Sequence, residues 1–233
     1  MGLFDRFKQQ PPQKVASEEE KLEAKEWVDK GRALSTCGLA IDRKTALSNR
    51  QRYKDAKKCG NKAVELDLQN ADAWDLLGQC EAGLGNTYPA EKYYNKALEI
   101  DPQNARMLHN RCMNLFLRSM QDRYSSSYRQ TAIDCFDKAL EIYPQDVHLW
   151  DSKGTTLANY GSYTESIDCF DKALEIDPQD ARAWSNKAAS LGYLKRDEEA
   201  IECFDKALEI DPNDFLSIDG KKLAQAAAAA RAR

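Results

Sequence analysis

The chain has 233 residues, of which 42% are hydrophobic and 31% charged, with a formal net charge of -4. This length suits one or two domains, and the composition excludes a disordered or collagen-like chain. No apolar run approaches the roughly 20 residues that span a bilayer, and residues 1–29 lack the apolar stretch of a secretory signal. We therefore expect a cytoplasmic protein.

The N-terminal residues 1–16 contain Pro11, Pro12 and several glutamines, and we expect them to form a flexible lead. Ser17 and Glu20 have the spacing of a capping box, which predicts that the first helix begins there. An alternative for the lead is a short amphipathic turn that contacts a membrane surface or another protein. Its apolar side chains would be Leu3, Phe4 and Phe7.

An internal repeat dominates the rest of the sequence. The segment Cys-Phe-Asp-Lys-Ala-Leu-Glu-Ile occurs at a period of 34 residues, beginning at Cys135, Cys169 and Cys203. Extending this register gives five units: residues 24–70, 71–104, 105–146, 147–180 and 181–214. The first and third units are longer than 34 residues and contain insertions. A period of this length is typical of stacked repeats that bury one another's apolar faces.

The units share residue types at fixed positions. Position 4 holds tryptophan in four units, position 8 is small, position 27 is alanine, and an Asn or Asp suited to capping precedes each following unit. In these positions the sequence resembles a tetratricopeptide repeat protein of the prokaryotic type with five repeats, from residue 24 to residue 214. The resemblance implies an all-α fold, a right-handed superhelical solenoid of antiparallel helix pairs. Departures are lysine or arginine at position 7 of four units, and Leu68 in place of a proline.

The resemblance also implies a binding surface. In this family, positions 2, 5, 6 and 9 of the first helices face a concave groove. The candidate partner-binding residues are Arg106, His109, Asn110, Met113, His148, Asp151, Arg182 and Asn186. Asparagines can hydrogen-bond an extended peptide backbone, and arginines can bind carboxylates. No unit has the position 5 lysine with which one subclass of the family binds chaperone tails, so that activity is not expected.

Basic residues cluster in the two insertions, between the first and second helices of units one and three. One interpretation is an electropositive rim for an anionic ligand or nucleic acid. The alternative is lengthened helices with ordinary solvated charge, which we favour because few aromatic residues accompany the basic ones. The rim residues of the first insertion are Arg43, Lys44, Arg50, Arg52 and Lys54.

Residues 215–233 are predicted to form a capping helix and tail. The apolar residues Phe215, Leu216, Ile218 and Leu223 are expected to cover the last repeat. Lys221, Lys222, Gln225 and the alanines are expected to face water, as in a solubilising terminal helix.

Signatures of catalysis are missing: the sequence has two histidines and 11 glycines, and no G-x-S-x-G, H-E-x-x-H or P-loop motif. His109 and His148, with Asp151, are a weak alternative metal or pH-sensitive site. We expect no enzymatic activity, no cofactor and no metal. The cysteines at position 23, which are Cys59, Cys135, Cys169 and Cys203, are predicted to be reduced and to serve packing.

The sequence therefore predicts a non-enzymatic scaffold that binds a peptide or helix of another protein in its concave groove. Two alternatives stay open. The first is binding of an anionic ligand or nucleic acid through the basic insertions, and the second is a structural module that associates with itself.

Overall fold

The computed structural model describes residues 15–35, 43–121 and 126–231. Within these ranges the chain forms eleven α-helices and no strand, so the all-α prediction is confirmed. The predicted lead and its amphipathic turn lie mostly outside the described residues. None of the described helices is both long and apolar enough to cross a membrane. The chain divides into two compact units, residues 1–124 and 125–233, which are described separately.

Unit 1 contains five helices: α1 (Glu18–Ser35), α2 (Arg43–Leu66), α3 (Ala71–Gly83), α4 (Thr87–Ile100) and α5 (Ala105–Gln121). Each helix packs against the next one in the chain. The odd-numbered helices, which are the first helices of successive repeats, also contact one another: α1 packs on α3, and α3 on α5. One face of unit 1 is therefore built from first helices alone, and we call it the first-helix face.

Unit 2 contains six helices: α6 (Ser126–Ile142), α7 (Val147–Asn159), α8 (Tyr163–Ile176), α9 (Ala181–Tyr193), α10 (Asp197–Ile210) and α11 (Phe215–Arg231). Here α7, α9 and α11 contact one another in succession, and each also packs on a second helix. Unit 2 therefore presents a first-helix face of its own.

Side-chain caps start the helices where the sequence predicts them. Ser17 and Glu20 form the predicted capping box: the Glu20 amide donates to Ser17 Oγ at 3.2 Å, and the Ser17 amide donates to Glu20 Oε2 at 2.7 Å. Asp146 and Asp180 accept from backbone amides in the first turns of α7 and α9. Each of these bonds satisfies an amide that has no partner within its helix.

Three of the tryptophans at position 4 join their repeat to the one before it. The indole of Trp150 donates to the Pro144 carbonyl at 2.8 Å, and that of Trp184 donates to the Pro178 carbonyl at 3.0 Å. Trp74 makes the same bond, at 2.9 Å, to the carbonyl of Leu68. The bond requires only a carbonyl, which explains why leucine can replace proline there.

Small residues at position 8 allow the two helices of a repeat to approach closely. A Cβ atom added to Gly154 would lie 2.8 Å from the ring of Phe170, which is 1% exposed. The same contact joins Gly78 and the ring of Tyr94. Tight packing of this kind leaves little room for substitution.

The insertions lengthen helices. The α2 helix has 24 residues and α5 and α6 have 17 each, whereas the regular helices α3 and α4 have 13 and 14. Residues 36–42 and 122–125 lie outside the described ranges. The helix-extension interpretation therefore holds for the described parts of both insertions.

The prediction for the C-terminal helix is wrong for three of its four apolar residues, whereas Ile218 is partly buried and Lys222 and Gln225 are exposed as expected. Phe215, Leu216 and Leu223 are 79%, 79% and 73% exposed, whereas Ser217 and Ala224 are buried. The reason is that α11 packs with its small residues, because Phe204 already fills the space beside Gly220. Large side chains on that side of the helix would collide with the last repeat.

The prediction for the cysteines is right for three of the four. Cys59, Cys169 and Cys203 are free and buried. Cys135 is disulfide-bonded, so a reduced thiol is the wrong expectation there.

Candidate functional site

Four of the predicted partner-binding residues lie on the first-helix face of unit 1. Arg106, His109, Asn110 and Met113 all belong to α5 and are partly exposed. They follow one another at helical spacing along the side of α5 that neighbours α3. The structure therefore brings these four predicted residues together.

Two of these four residues, Arg106 and Asn110, donate hydrogen bonds to the neighbouring repeat. Asp75 of α3 is completely buried, and its carboxylate accepts from the Arg106 guanidinium and from Asn110 Nδ2, the latter at 2.9 Å. Gln79 Nε2 donates to the same carboxylate at 2.7 Å. We call the contact of Asp75 with Arg106 and Asn110 the Asp75 clasp. A buried carboxylate needs such partners, because burial without them is costly.

The cluster continues along the first-helix face of unit 1. Asp72 lies 2.5 Å from the Arg106 guanidinium and 2.6 Å from that of Arg32 on α1. Two aspartates and two arginines therefore join three successive first helices, and their formal charges cancel. This part of the face presents polar groups but no excess charge of either sign.

Unit 2 repeats the arrangement. Asp151 of α7 accepts from Asn186 Nδ2 of α9 at 3.1 Å and lies 3.1 Å from the Arg182 guanidinium. We call this the Asp151 clasp. Burial raises the pKa of Asp151, and this effect exceeds the lowering caused by Arg182 and by the hydrogen bond from Asn186. The clasp therefore compensates only part of the cost of burying this carboxylate.

The two clasps join equivalent positions of adjacent repeats. An aspartate at position 5 of one repeat meets an arginine at position 2 and an asparagine at position 6 of the next. The predicted partner-binding set includes Arg106, Asn110, Asp151, Arg182 and Asn186. The prediction missed that Asp75 pairs with the first two of these, and that Asp151 pairs with the last two. Reading positions between adjacent repeats, instead of within each one, would have revealed the pairing.

Other side chains of the two faces stay accessible. On α5, Leu117 is 40% exposed and lies one helical turn after the partly exposed Met113. Leu117 is absent from the predicted set because position 13 was not considered. On α7, His148 is exposed, and the arginines of the clasps keep 42% (Arg106) and 63% (Arg182) of their side chains exposed.

A second set of ion pairs explains the lysines at position 7. Lys153 and Lys187 each lie 2.5 Å from an aspartate at position 25 of the preceding repeat, Asp137 and Asp171 respectively. Each ammonium also lies 5.6 Å from the ring centre of the tryptophan at position 4, within range of a cation–π contact. These lysines therefore join repeats, and the departure from leucine does not leave the position without contacts.

One residue of the predicted basic rim makes a hydrogen bond within the protein. Arg52 Nε donates to the Leu34 carbonyl at 3.1 Å, at the end of α1, whereas Arg50 and Lys54 are exposed. The side chains of Arg43 and Lys44 lie outside the described residues. In the third repeat, Arg118 pairs with Glu91 and stacks on Tyr88. Several basic residues of the insertions thus have structural partners.

Metal binding has no geometric support in the part of the chain that the structure describes. No group of three or more His, Cys, Asp or Glu side chains there could hold a metal ion. In unit 2, His148 is close enough to Asp151 to lower the pKa of that carboxyl group, but less than Arg182 and Asn186 do.

Comparison with known proteins agrees with the repeat geometry. Family models described as tetratricopeptide repeat match residues 71–104, 147–180 and 181–214. Three repeats of this chain are tetratricopeptide repeats. Comparison with curated proteins finds no significant match.

Solved structures of tetratricopeptide repeat proteins share the fold. One is YrrB, described as a TPR protein with an unusual peptide-binding site, which is 24% identical with a TM-score of 0.58 over 88% of this chain and 95% of that one. Another is TTC0263, a thermophilic TPR protein of Thermus thermophilus, 18% identical with a TM-score of 0.65 over 88% and 98%. The structure of the MamA protein also shares the fold, with 18% identity and a TM-score of 0.61 over 84% of this chain and 94% of that one.

Proposed function

We propose that this protein is a non-enzymatic scaffold that binds a peptide or helix of another protein on its first-helix faces. The observation that carries the proposal is the accessible surface beside the Asp75 clasp. There, His109, Met113 and Leu117 of α5 offer polar and apolar groups on a preformed helical support. A rigid support lowers the entropic cost of binding.

The clasps contribute by fixing the surface. Asp75 and Asp151 each join two adjacent first helices through an ion pair and a hydrogen bond. The exposed side chains beside them therefore have fixed positions before a partner binds. Arg106 and Arg182 remain 42% and 63% exposed and can donate to a partner's carboxylate or backbone carbonyl. The charge balance of the Asp72 and Asp75 cluster favours a partner that combines apolar and polar groups over a strongly acidic one.

Affinity capture tests the proposal. The full chain is immobilised and exposed to native extract from its source cells, beside a variant carrying Met113→Glu and Leu117→Glu. Leu117 is 40% exposed, so a charge there can be solvated without unfolding α5. The matched control is Ile142→Glu. Ile142 is apolar and 42% exposed, and it lies on α6, which is the second helix of its repeat and not a first helix.

The expected result is a protein retained by the unchanged chain and by Ile142→Glu, and lost with the double variant. Circular dichroism must show equal helicity in all three chains. A protein retained equally by all three would place binding elsewhere. Retention of nucleic acid that is lost as salt rises would instead support the basic insertions.

A further inference from the structure

The C-terminal helix leaves an unusually apolar surface at the end of unit 2. Phe215 and Leu216 are each 79% exposed and Leu223 is 73% exposed, and Tyr193 of α9 nearby is 70% exposed. Single exposed leucines are ordinary on protein surfaces, but four large side chains on two adjoining helices are not.

This helix occupies the place of a first helix in a sixth repeat. Lys221 pairs with Asp205, as Lys153 and Lys187 pair with the equivalent aspartates of earlier repeats. Ser217 and Ala224 of α11 are buried against the fifth repeat. Within the two units, α3 and α9 each contact a first helix on either side, and the outer side of α11 is a surface of the same kind.

A groove runs beside this surface, between α11 and the end of α9. Its volume is about 350 Å³, and its floor is formed mainly by small residues. One end is closed by the ion pair of Arg231 with the buried Asp197. The small residues are Ala189, Gly192, Gly220, Ala224 and Ala227.

The spacing of large and small residues along α11 indicates which helix fits the groove. Leu216 and Leu223 are seven residues apart, and so are Gly220 and Ala227 in the groove. When two α11 helices lie antiparallel, one register places Leu216 over Ala227 and Leu223 over Gly220, in both directions at once. Large side chains then meet small ones throughout, as close helix packing requires. The antiparallel arrangement also opposes the two helix dipoles favourably.

We propose that a second copy of this chain occupies the groove, giving a two-fold symmetric dimer through antiparallel α11 helices. The same patch then serves both partners, as a closed two-fold interface requires. One helix face buries less than the roughly 800 Å² per partner of a standard interface, so we expect a dissociation constant on the order of 10 μM. This groove lies on unit 2, whereas the residues that carry the proposed function, His109, Met113 and Leu117, lie on α5 of unit 1.

Analytical ultracentrifugation of the full chain from about 1 to 500 μM spans this expected constant. The unchanged chain should pass from monomer to dimer over that range. Leu216→Glu with Leu223→Glu should raise the dissociation constant by about 30-fold or more, since both leucines lie at the interface centre. Leu22→Glu on α1, where leucine is 61% exposed, is the matched control and should dimerise normally. A chain that stays monomeric throughout, or a dimer that survives the double change, would overturn the proposal.

Cross-linking tests the register. In the predicted dimer, Leu216 of one copy lies over Ala227 of the second copy, whereas the two Leu216 residues are 11 residues apart along the helix, about 16 Å. The double variant Leu216→Cys and Ala227→Cys should therefore form a covalent dimer on mild oxidation, and Leu216→Cys alone should not. Equal cross-linking of the two would contradict the antiparallel register. Met113→Glu must leave the dimer intact, which separates failure here from failure of the proposed function.

Discussion

Replacing Arg106 by alanine tests the Asp75 clasp. The change removes the guanidinium that faces a completely buried carboxylate and leaves Asn110 and Gln79 as its remaining side-chain partners. It also removes the link from Arg106 to Asp72. We expect a loss of stability, because the buried Asp75 carboxyl group then lacks its cationic partner.

The magnitude follows from the exposure of the two partners. Removing one member of a fully buried ion pair costs roughly 3 to 5 kcal/mol, and removing one from an exposed pair costs about 0 to 1 kcal/mol. The side chain of Asp75 is 0% exposed and that of Arg106 is 42% exposed. We therefore expect Arg106→Ala to lower the free energy of unfolding by about 2 kcal/mol.

The Asp151 clasp supplies the comparison. Arg182 is 63% exposed and lies 3.1 Å from Asp151, so Arg182→Ala should cost only about 1 kcal/mol. Both free energies are measured by urea denaturation followed by circular dichroism. The reasoning would be refuted by equal losses for the two variants, or by no loss for Arg106→Ala.

Three further predictions concern unit 2. Phe170→Ala should destabilise the protein by about 3 to 5 kcal/mol in urea denaturation, because it opens a cavity beside Gly154; a loss below about 1 kcal/mol would show that the ring is not packed. Burial raises the pKa of Asp151 above its ordinary 3.8, so the ionised form is disfavoured in the folded state. The stability of the unchanged chain relative to Asp151→Asn should therefore fall as pH rises from 3 to 7, and a rise would contradict the account. Burial also raises the pKa of Cys169 to about 11 from 9.0, so its alkylation at pH 8 should be about 100-fold slower than in the unfolded chain; equal rates would mean an accessible thiol.

The repeat architecture could be predicted because it depends on residues that recur at one period. The tryptophans, the small residues at position 8 and the caps such as Asp146 each act within a repeat or between neighbours in sequence. Their contacts are local and recur in several repeats, so the pattern alone predicts them. The bond from Trp74 to Leu68 shows that even a departure from the pattern can preserve the contact.

The clasps and the C-terminal surface were harder to predict. Family positions show which side chains face the groove, but they do not show that Asp75 and Arg106 satisfy each other across 31 residues. For α11, hydrophobicity favoured burying Leu216 and Leu223, yet the space beside Phe204 admits only small residues. In both cases the outcome depends on local volume and on pairing between repeats, which composition does not reveal.

Hydroxyl-radical footprinting of the chain, alone and with the protein it captures, tests the central claim most directly. The account predicts that oxidation of Met113 and Leu117 falls on binding. Oxidation of Tyr88, which is 57% exposed on the second helix α4, should stay unchanged. Protection of Tyr88 with no change at Met113 and Leu117 would show that the partner binds another surface, and would contradict the assignment of the first-helix face.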